Sequence, residues 1–89
     1  MLDCLRKELV KGDMILYHVT DGYWATTYFG VITGEMTKRG KARFITDGGG
    51  KSFGQSHQLI KVNEELIRLH NGDKSEKLIE QSRLMKEEL

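Results

Sequence analysis

The sequence predicts a mainly β protein with a helical C-terminus, in the form of a small bent barrel of four or five short antiparallel strands followed by one or two helices. Two observations lead to this prediction. Residues 11–46 contain three runs rich in β-branched and aromatic residues, separated by turn sequences at residues 20–22 and 37–40. After residue 62 the apolar residues recur at helical spacing instead.

Alternation and glycine positions define the predicted strands, which cover about residues 14–19, 23–35 and 41–46, with a further short strand at residues 52–53. Residues 55–62 end in the apolar Leu59, Ile60 and Val62. Gly30 interrupts the long second run. A glycine inside a strand often marks a bulge or a bend. Gly30 is therefore the predicted corner at which one strand serves two parts of the barrel.

Helices are predicted at both ends of the chain. Residues 2–9 carry leucines at spacings of three and four, which is typical of a short helix. Asn63 is a predicted N-cap and Gly72 a predicted stop for a second helix. A last helix over about residues 74–88 has a narrow apolar stripe. This stripe favours docking on the chain's own barrel, with a homodimer through Leu78, Met85 and Leu89 as the alternative.

Size and composition predict one domain over residues 1–89, with the barrel in residues 11–62 and a helical extension in residues 63–89. A chain of 89 residues can bury only one modest core. No apolar run approaches the roughly 20 residues that span a bilayer, and the charged N-terminus does not resemble a signal peptide. With the single Cys4, these features predict a cytoplasmic protein without a membrane partner.

The cations are concentrated in one short stretch, although the net charge is only +1. The candidate nucleic-acid-binding residues are Lys38, Arg39, Lys41, Arg43 and Lys51. The candidate aromatic contacts are Tyr23, Trp24 and Tyr28, with Phe53 as further aromatic surface. Cations that neutralise phosphates, beside rings that stack on bases, suit single strands or RNA loops. The alternative is that the cations only solubilise a hairpin while the rings fill the core.

A resemblance to a known fold supports a binding function. The Gly12-Asp13 step before the first strand, followed by Gly22 and by the apolar run around Gly30, resembles the opening of SH3-like barrels of the KOW and Tudor kind. The resemblance covers residues 11–62. It implies a bent second strand and a binding module for nucleic acid or protein segments, and it implies no chemistry.

No catalytic or metal-binding motif is predicted, and no cofactor is expected. The three histidines and Cys4 lack the close spacing of zinc ligands. Ser56 and His57 are neighbours that would point to opposite faces of a strand. Residues 50–52 read Gly-Lys-Ser, as in a phosphate-binding loop, but the first glycine of that motif is missing.

The sequence therefore predicts a small non-enzymatic binding or regulatory protein that contacts RNA or DNA through a basic β-hairpin. The alternative is a protein–protein adaptor or inhibitor, such as a phage-encoded one, that uses Tyr23, Trp24 and Tyr28 or the last helix. A third hypothesis is a small-ligand binder that uses the glycine loop at residues 47–50.

Overall fold

The computed structural model describes residues 1–46, 49–72 and 75–87. It contains five strands and two α-helices in an order that matches the sequence prediction from residue 14 onwards. The elements are β1 Met14–Asp21, β2 Trp24–Met36, β3 Ala42–Thr46, β4 Lys51–Gly54, a 3-10 helix Ser56–Gln58, β5 Leu59–Lys61, α1 Glu64–Asn71 and α2 Ser75–Glu87.

All five strands belong to one antiparallel sheet with the order β4-β3-β2-β1-β5. Consecutive strands up to β4 are neighbours, and β5 returns to pair with the outer side of β1. The edge strands β4 and β5 do not pair with each other, so the sheet is open. The prediction of a β-rich fold with C-terminal helices is confirmed, whereas the predicted closure into a barrel is not observed.

Gly30 is the residue at which β2 changes its partner. From Trp24 to Val31, β2 pairs with β1, while its pairs with β3 begin only at Gly30. Gly30 is buried, and a Cβ atom there would lie 2.7 Å from the Phe44 ring and 2.9 Å from the Ile45 carbonyl oxygen. Only glycine therefore lets β3 approach β2 this closely.

A second irregularity follows in the same strand. Between the pairs Ile32–Phe44 and Met36–Ala42, β2 advances four residues while β3 advances two. The extra residues include Gly34, which has a φ of 91°. Such an insertion bends a strand and increases its twist.

The two faces of the sheet have separate apolar cores. The first contains Leu9, Ile15, Ile32, Ala42, Phe44 and Leu59, with Met1 and Tyr17 packed against it. The second contains Met14, Val31, Ile67, Leu78 and Ile79. Neighbouring strand residues such as Met14 and Ile15 belong to different cores because side chains alternate between the faces. The helices therefore cover one face, and the N-terminal segment contributes to the other.

The N-terminal segment is a loop, so the helix predicted over residues 2–9 is wrong. Leu2 and Glu8 form an isolated antiparallel bridge. The buried Asp3 carboxylate accepts hydrogen bonds from the backbone N–H groups of Leu5, Lys7 and Lys61, at 2.9, 2.8 and 2.9 Å. Aspartate side chains compete in this way with helical hydrogen bonding. The leucine spacing was compatible with a helix, but the Asp3 carboxylate stabilises a turn instead.

The Gly12-Asp13 step connects the sheet to α2. The Gly12 N–H donates to the Ile32 carbonyl at 2.8 Å, and the Gly12 carbonyl accepts from the Ser82 hydroxyl. The Asp13 carboxylate, 2 % exposed, lies 3.4 Å from the Lys61 ammonium and 3.6 Å from the Lys86 ammonium. It also accepts the N–H of Val10 at 2.9 Å. One short turn thus holds β2, β5 and α2 together.

The two helices begin and end much as the sequence predicts. The Asn63 side chain accepts the Leu66 N–H at 2.9 Å, which confirms the N-cap of α1. Gly72 follows α1 with a φ of 55° and confirms the predicted stop.

The apolar stripe of α2 packs on the chain itself. Leu78 is buried in the second core, and Met85 packs against that core. Leu78 is therefore unavailable to the homodimer considered from sequence, Met85 is half-buried, and Leu89 lies outside the described residues. Within the described part of the chain, neither helix is long and apolar enough to cross a membrane.

We expect Gly12→Ala to lower the free energy of unfolding by about 2–4 kcal/mol. The φ of Gly12 is 91°, and an added Cβ would lie 2.6 Å from Lys86 Cγ and 3.1 Å from the Ser82 carbonyl oxygen. Gly40→Ala is the matched control, because Gly40 has a φ of 79° but no atom within 4 Å of the added Cβ. Urea denaturation should show a loss of only about 1 kcal/mol there. Equal losses in the two variants would contradict the packing role of Gly12.

We expect Asp3→Asn to destabilise the protein at neutral pH and to have little effect in acid. Burial raises the pKa of Asp3, but the backbone N–H groups of Lys61, Lys7 and Leu5 outweigh it and hold the pKa below its ordinary value of 3.8. The contribution of the carboxylate is therefore complete above pH 3.8 and is lost as the pH falls towards the lowered folded-state pKa.

Urea denaturation from pH 7 to pH 2 measures this difference. Wild type should exceed the Asn variant by about 2 kcal/mol at pH 7, with the gap closing in acid. A gap that stays constant across this range would show that the Asp3 charge does not stabilise the N-terminal loop.

Candidate binding surfaces

The β1–β2 hairpin extends beyond the rest of the sheet. β5 pairs with β1 only at residues 15–17, and β3 pairs with β2 only from residue 30. Residues 18–21 and 24–29 therefore pair only with each other among the residues that the structure describes. We call this two-stranded segment, with its turn at Gly22 and Tyr23, the aromatic ribbon. The φ of Gly22 is 60°, which suits the first position of a two-residue II′ turn.

The aromatic ribbon exposes its rings to an increasing degree towards its tip. Tyr28 is 43 % exposed, Trp24 79 % and Tyr23 104 %. Tyr28 lies beside Tyr17, with 6.4 Å between the ring centroids, and Tyr17 contacts Phe44 in the first core at 5.0 Å. Strand alternation places Trp24 on the same face as Tyr28. The face of the ribbon is thus an uncovered continuation of the first core.

The candidate cations lie at the opposite end of β2. Lys38 and Arg39 are exposed on the β2–β3 turn, which is closed by hydrogen bonds between Thr37 and Lys41. Lys41 is half-buried at the start of β3. Within the described residues, none of the cations Lys38, Arg39, Lys41 and Lys51 has a carboxylate oxygen within 4.0 Å, and all of them except the half-buried Lys41 are exposed.

Arg43 and Lys51 share a face with an exposed aromatic ring. Arg43 pairs with Phe53 and Ile45 with Lys51 in the β3–β4 register, and alternation directs all four side chains to one side. The Arg43 guanidinium lies 5.0 Å from the centroid of the Phe53 ring, which is a cation–π contact. We call the set Lys38, Arg39, Lys41, Arg43, Lys51 and Phe53 the basic surface.

Glu35 is a member of this neighbourhood that sequence reasoning missed. Its carboxylate forms an ion pair with the Arg43 guanidinium. The bulge in β2 brings Glu35 towards Arg43, and a bulge of this kind leaves only a weak sequence signal, here Gly34. Arg43 is therefore partly neutralised and held in place, unlike the cations on the turn.

The aromatic and basic candidates do not form one site. The aromatic ribbon ends at the first residue of β2, and the basic turn follows its last residue. A strand of 13 residues spans on the order of 40 Å when straight, and bends shorten this only in part. Phe53 is the ring that the fold brings to the cations, while Tyr23, Trp24 and Tyr28 belong to a separate surface.

The remaining candidates do not come together as sites. Among the described residues, no group of three or more histidine, cysteine and acidic side chains could hold a metal ion. In the glycine loop, Asp47 and Gly48 lie outside the described residues. A shallow groove beside α1 is lined by Lys61, Val62, Asn63, Glu65, Leu66 and Leu69.

Comparison with known proteins gave no match. No protein-family model, curated protein or solved structure matches the chain. The functional interpretation therefore depends on the geometry of the two surfaces.

We expect Lys38→Gln, Arg39→Gln and Lys51→Gln each to change the free energy of unfolding by less than about 0.5 kcal/mol. Their side chains are exposed and have no acidic partner within the described residues. Arg43→Gln should cost up to about 1 kcal/mol, because it removes the exposed ion pair with Glu35 and the contact with Phe53. Thermal and urea denaturation measure these values. A large loss in any of the first three variants would assign that cation a structural role.

Proposed function

We propose that this chain is a small binding module that holds single-stranded RNA or DNA on the basic surface. The observation that carries the proposal is the group of four cations that have no acidic partner among the described residues and lie near the exposed Phe53 ring. Such cations attract phosphates and release counterions on binding. An exposed ring beside them offers a stacking platform for a base, as proteins that bind single strands use.

The arrangement on the sheet supports this role. Arg43 lies against Phe53 and pairs with Glu35, so the ring and the guanidinium are held in a fixed relative position. Lys38 and Arg39 extend from a turn next to this face, and Lys51 lies at its other end. A strand of nucleic acid could therefore follow the surface along β3, with phosphates near the lysines and a base near Phe53.

The fold is also compatible with an SH3-like relationship, which we include in the proposal. Gly12 and Asp13 lie immediately before β1, and Gly30 lies on the long second strand where that strand changes its partner. These are the positions on which the resemblance to KOW and Tudor barrels depends. That resemblance implies a binding module, which agrees with the basic surface.

The test is fluorescence anisotropy of labelled single-stranded RNA and DNA of about ten nucleotides, titrated with the protein at several salt concentrations. Four cations that neutralise about four phosphates predict a slope of about −3 for log K against log salt concentration. The triple variant Lys38→Gln, Arg39→Gln, Lys51→Gln should bind more weakly, with a slope reduced by about 2. Phe53→Ala should weaken binding about tenfold with little change of slope.

A matched control separates a local surface from overall charge. The triple variant Arg6→Gln, Lys7→Gln, Lys77→Gln removes three exposed cations elsewhere and has the same net charge. It should bind nearly as wild type does. If both triple variants lose affinity equally, or if wild type binds neither oligonucleotide, the basic surface is not a nucleic-acid site. Trp24 emission should stay unchanged on binding because that ring lies at the far end of β2.

The second candidate is a protein–protein adaptor or inhibitor that acts through the aromatic ribbon. The observation that favours it is the exposure of Tyr23 and Trp24, since exposed tryptophan and tyrosine rings often dominate protein interfaces. Binding of this kind should depend little on salt and should be lost in Trp24→Ala. A partner captured by wild type but not by Trp24→Ala would support this candidate over nucleic-acid binding.

A further inference from the structure

One edge of the aromatic ribbon has no partner strand among the described residues. β3 occupies the outer side of β2 only from Gly30, so no described residue pairs with the outer side of residues 24–29. The side chains of residues 24–28 are exposed as well. An isolated two-stranded ribbon is marginally stable in water. This part of β2 therefore gains stability from any strand that pairs with it.

The register identifies the free backbone groups of this edge. A two-residue turn makes Asp21 and Trp24 a hydrogen-bonded pair, and such pairs alternate with non-hydrogen-bonded ones along β1 and β2. Thr26 and Tyr28 consequently direct their N–H and C=O groups towards β1. Ala25 and Thr27 direct theirs away from β1, into the space that a further strand would occupy.

The segment lacks the features that usually protect an edge. Natural edge strands carry lysines, prolines, bulges or inward-pointing charges, or they are very short. Residues 22–34 contain no charged residue and no proline, and the register with β1 is regular from Trp24 to Val31. Exposed aromatic and β-branched residues without charge are what strand pairing favours.

We propose that this edge pairs with the same edge of a second copy of this chain, antiparallel and centred on Thr26. In this register Ala25 of one copy forms a hydrogen-bonded pair with Thr27 of the other, and the two copies of Thr26 face each other across the twofold axis. Trp24 of each copy then lies directly opposite Tyr28 of the other. The result is one continuous sheet of ten strands.

Three properties favour a second copy over an unrelated strand. Self-pairing brings identical residues together, and an uncharged segment does so without like-charge repulsion. The register that satisfies Ala25 and Thr27 also forms two Trp–Tyr cross-strand pairs, which are favourable side-chain combinations. It uses only residues 24–28, so it ends before Gly30, where β3 takes the edge.

The expected dimer is of moderate strength. The exposed parts of Trp24 and Tyr28 in two copies supply at most on the order of 600 Å² of buried surface. The backbone and the threonines add to this, so the interface lies near the lower limit of stable protein interfaces. We therefore expect a dissociation constant in the range of about 1–100 μM. The proposal is independent of nucleic-acid binding, because the basic surface lies at the other end of β2.

Sedimentation equilibrium of wild type between about 1 and 500 μM tests the association. Thr26→Lys should weaken the dimer about tenfold or more, because it places two ammonium groups opposite each other at the axis. Thr20→Lys is the matched control: it adds the same charge to the paired strand, on the opposite face of the ribbon. Its association should equal that of wild type.

A charge-swap experiment tests the register itself. Thr26→Lys mixed with Thr26→Glu should restore dimers, as heterodimers, because position 26 meets only itself. In a Cys4→Ser background, Thr26→Cys should form a disulfide dimer on mild oxidation, since directly opposed residues of a non-hydrogen-bonded pair lie about 4.5 Å apart. Thr20→Cys in the same background should crosslink far less.

Two outcomes would overturn the proposal. Wild type that remains monomeric up to 500 μM, with no Thr26→Cys crosslink, would show that this edge does not pair with itself. A strand of another protein would then be the remaining candidate partner. A dimer that persists unchanged in Thr26→Lys would place the self-association on a different surface.

Discussion

The buried carboxyl group of Asp13 is the contact on which the arrangement of sheet and helices depends. A buried charge is costly unless oppositely charged or hydrogen-bonding groups surround it. Here two lysines supply charge, Lys61 from β5 and Lys86 from α2, and the Val10 N–H supplies a hydrogen bond. These groups come from parts of the chain that are distant in sequence. The requirement to satisfy Asp13 therefore fixes the last strand and the last helix relative to the start of β1.

Gly12 makes this arrangement sterically possible. Its carbonyl accepts the Ser82 hydroxyl, and its missing side chain leaves room for the Lys86 stem. Polar groups thus set the position of α2, while burial of Leu78 and Ile79 against Met14 and Val31 supplies the apolar driving force. The Asp3 carboxylate has a similar role for the N-terminal loop. Its charged oxygens tie that loop to β5 by accepting hydrogen bonds from backbone N–H groups.

The long strand β2 separates the two candidate surfaces. Its first half pairs with β1 and its second half with β3, and Gly30 allows the close approach at which the partners change. The first half continues past its neighbours, so its rings are exposed and its outer backbone groups have no partner among the described residues. The second half leads into a charged turn. One end is therefore suited to contacts made through apolar area and strand pairing, and the other to contacts made through charge.

This separation allows the two ends to act without competing. The charge-based surface responds to salt, because exposed cations are screened. The aromatic surface depends mainly on burial, which salt affects much less. If both proposals hold, two basic surfaces lie at the far ends of one ten-stranded sheet. A nucleic acid long enough to reach both would then be bound at two points, which increases its overall affinity.

The local sequence determined most of the elements of this protein. Alternation, the Asp21-Gly22 turn, the Asn63 cap and the Gly72 stop predict the strands and C-terminal helices close to their observed bounds, because these signals act over a few neighbouring residues. The candidate cations can also be identified from sequence, because charged residues in turns face solvent. Local signals failed at residues 2–9, where leucine spacing predicts a helix. The structure has a loop there, because the Asp3 carboxylate accepts the backbone N–H of Lys61 in a distant strand.

Only the tertiary structure decided which residues meet. The sequence grouped Trp24 with the cations because they are close along the chain, whereas a 13-residue strand places them at opposite ends of the sheet. It could not show that Phe53 is the ring beside Arg43, because that contact depends on the β3–β4 register. It could not show that no described residue pairs with the edge of residues 24–29, because that depends on the β2–β3 register. Pairing across strands is set by global packing, and local sequence patterns carry little information about it.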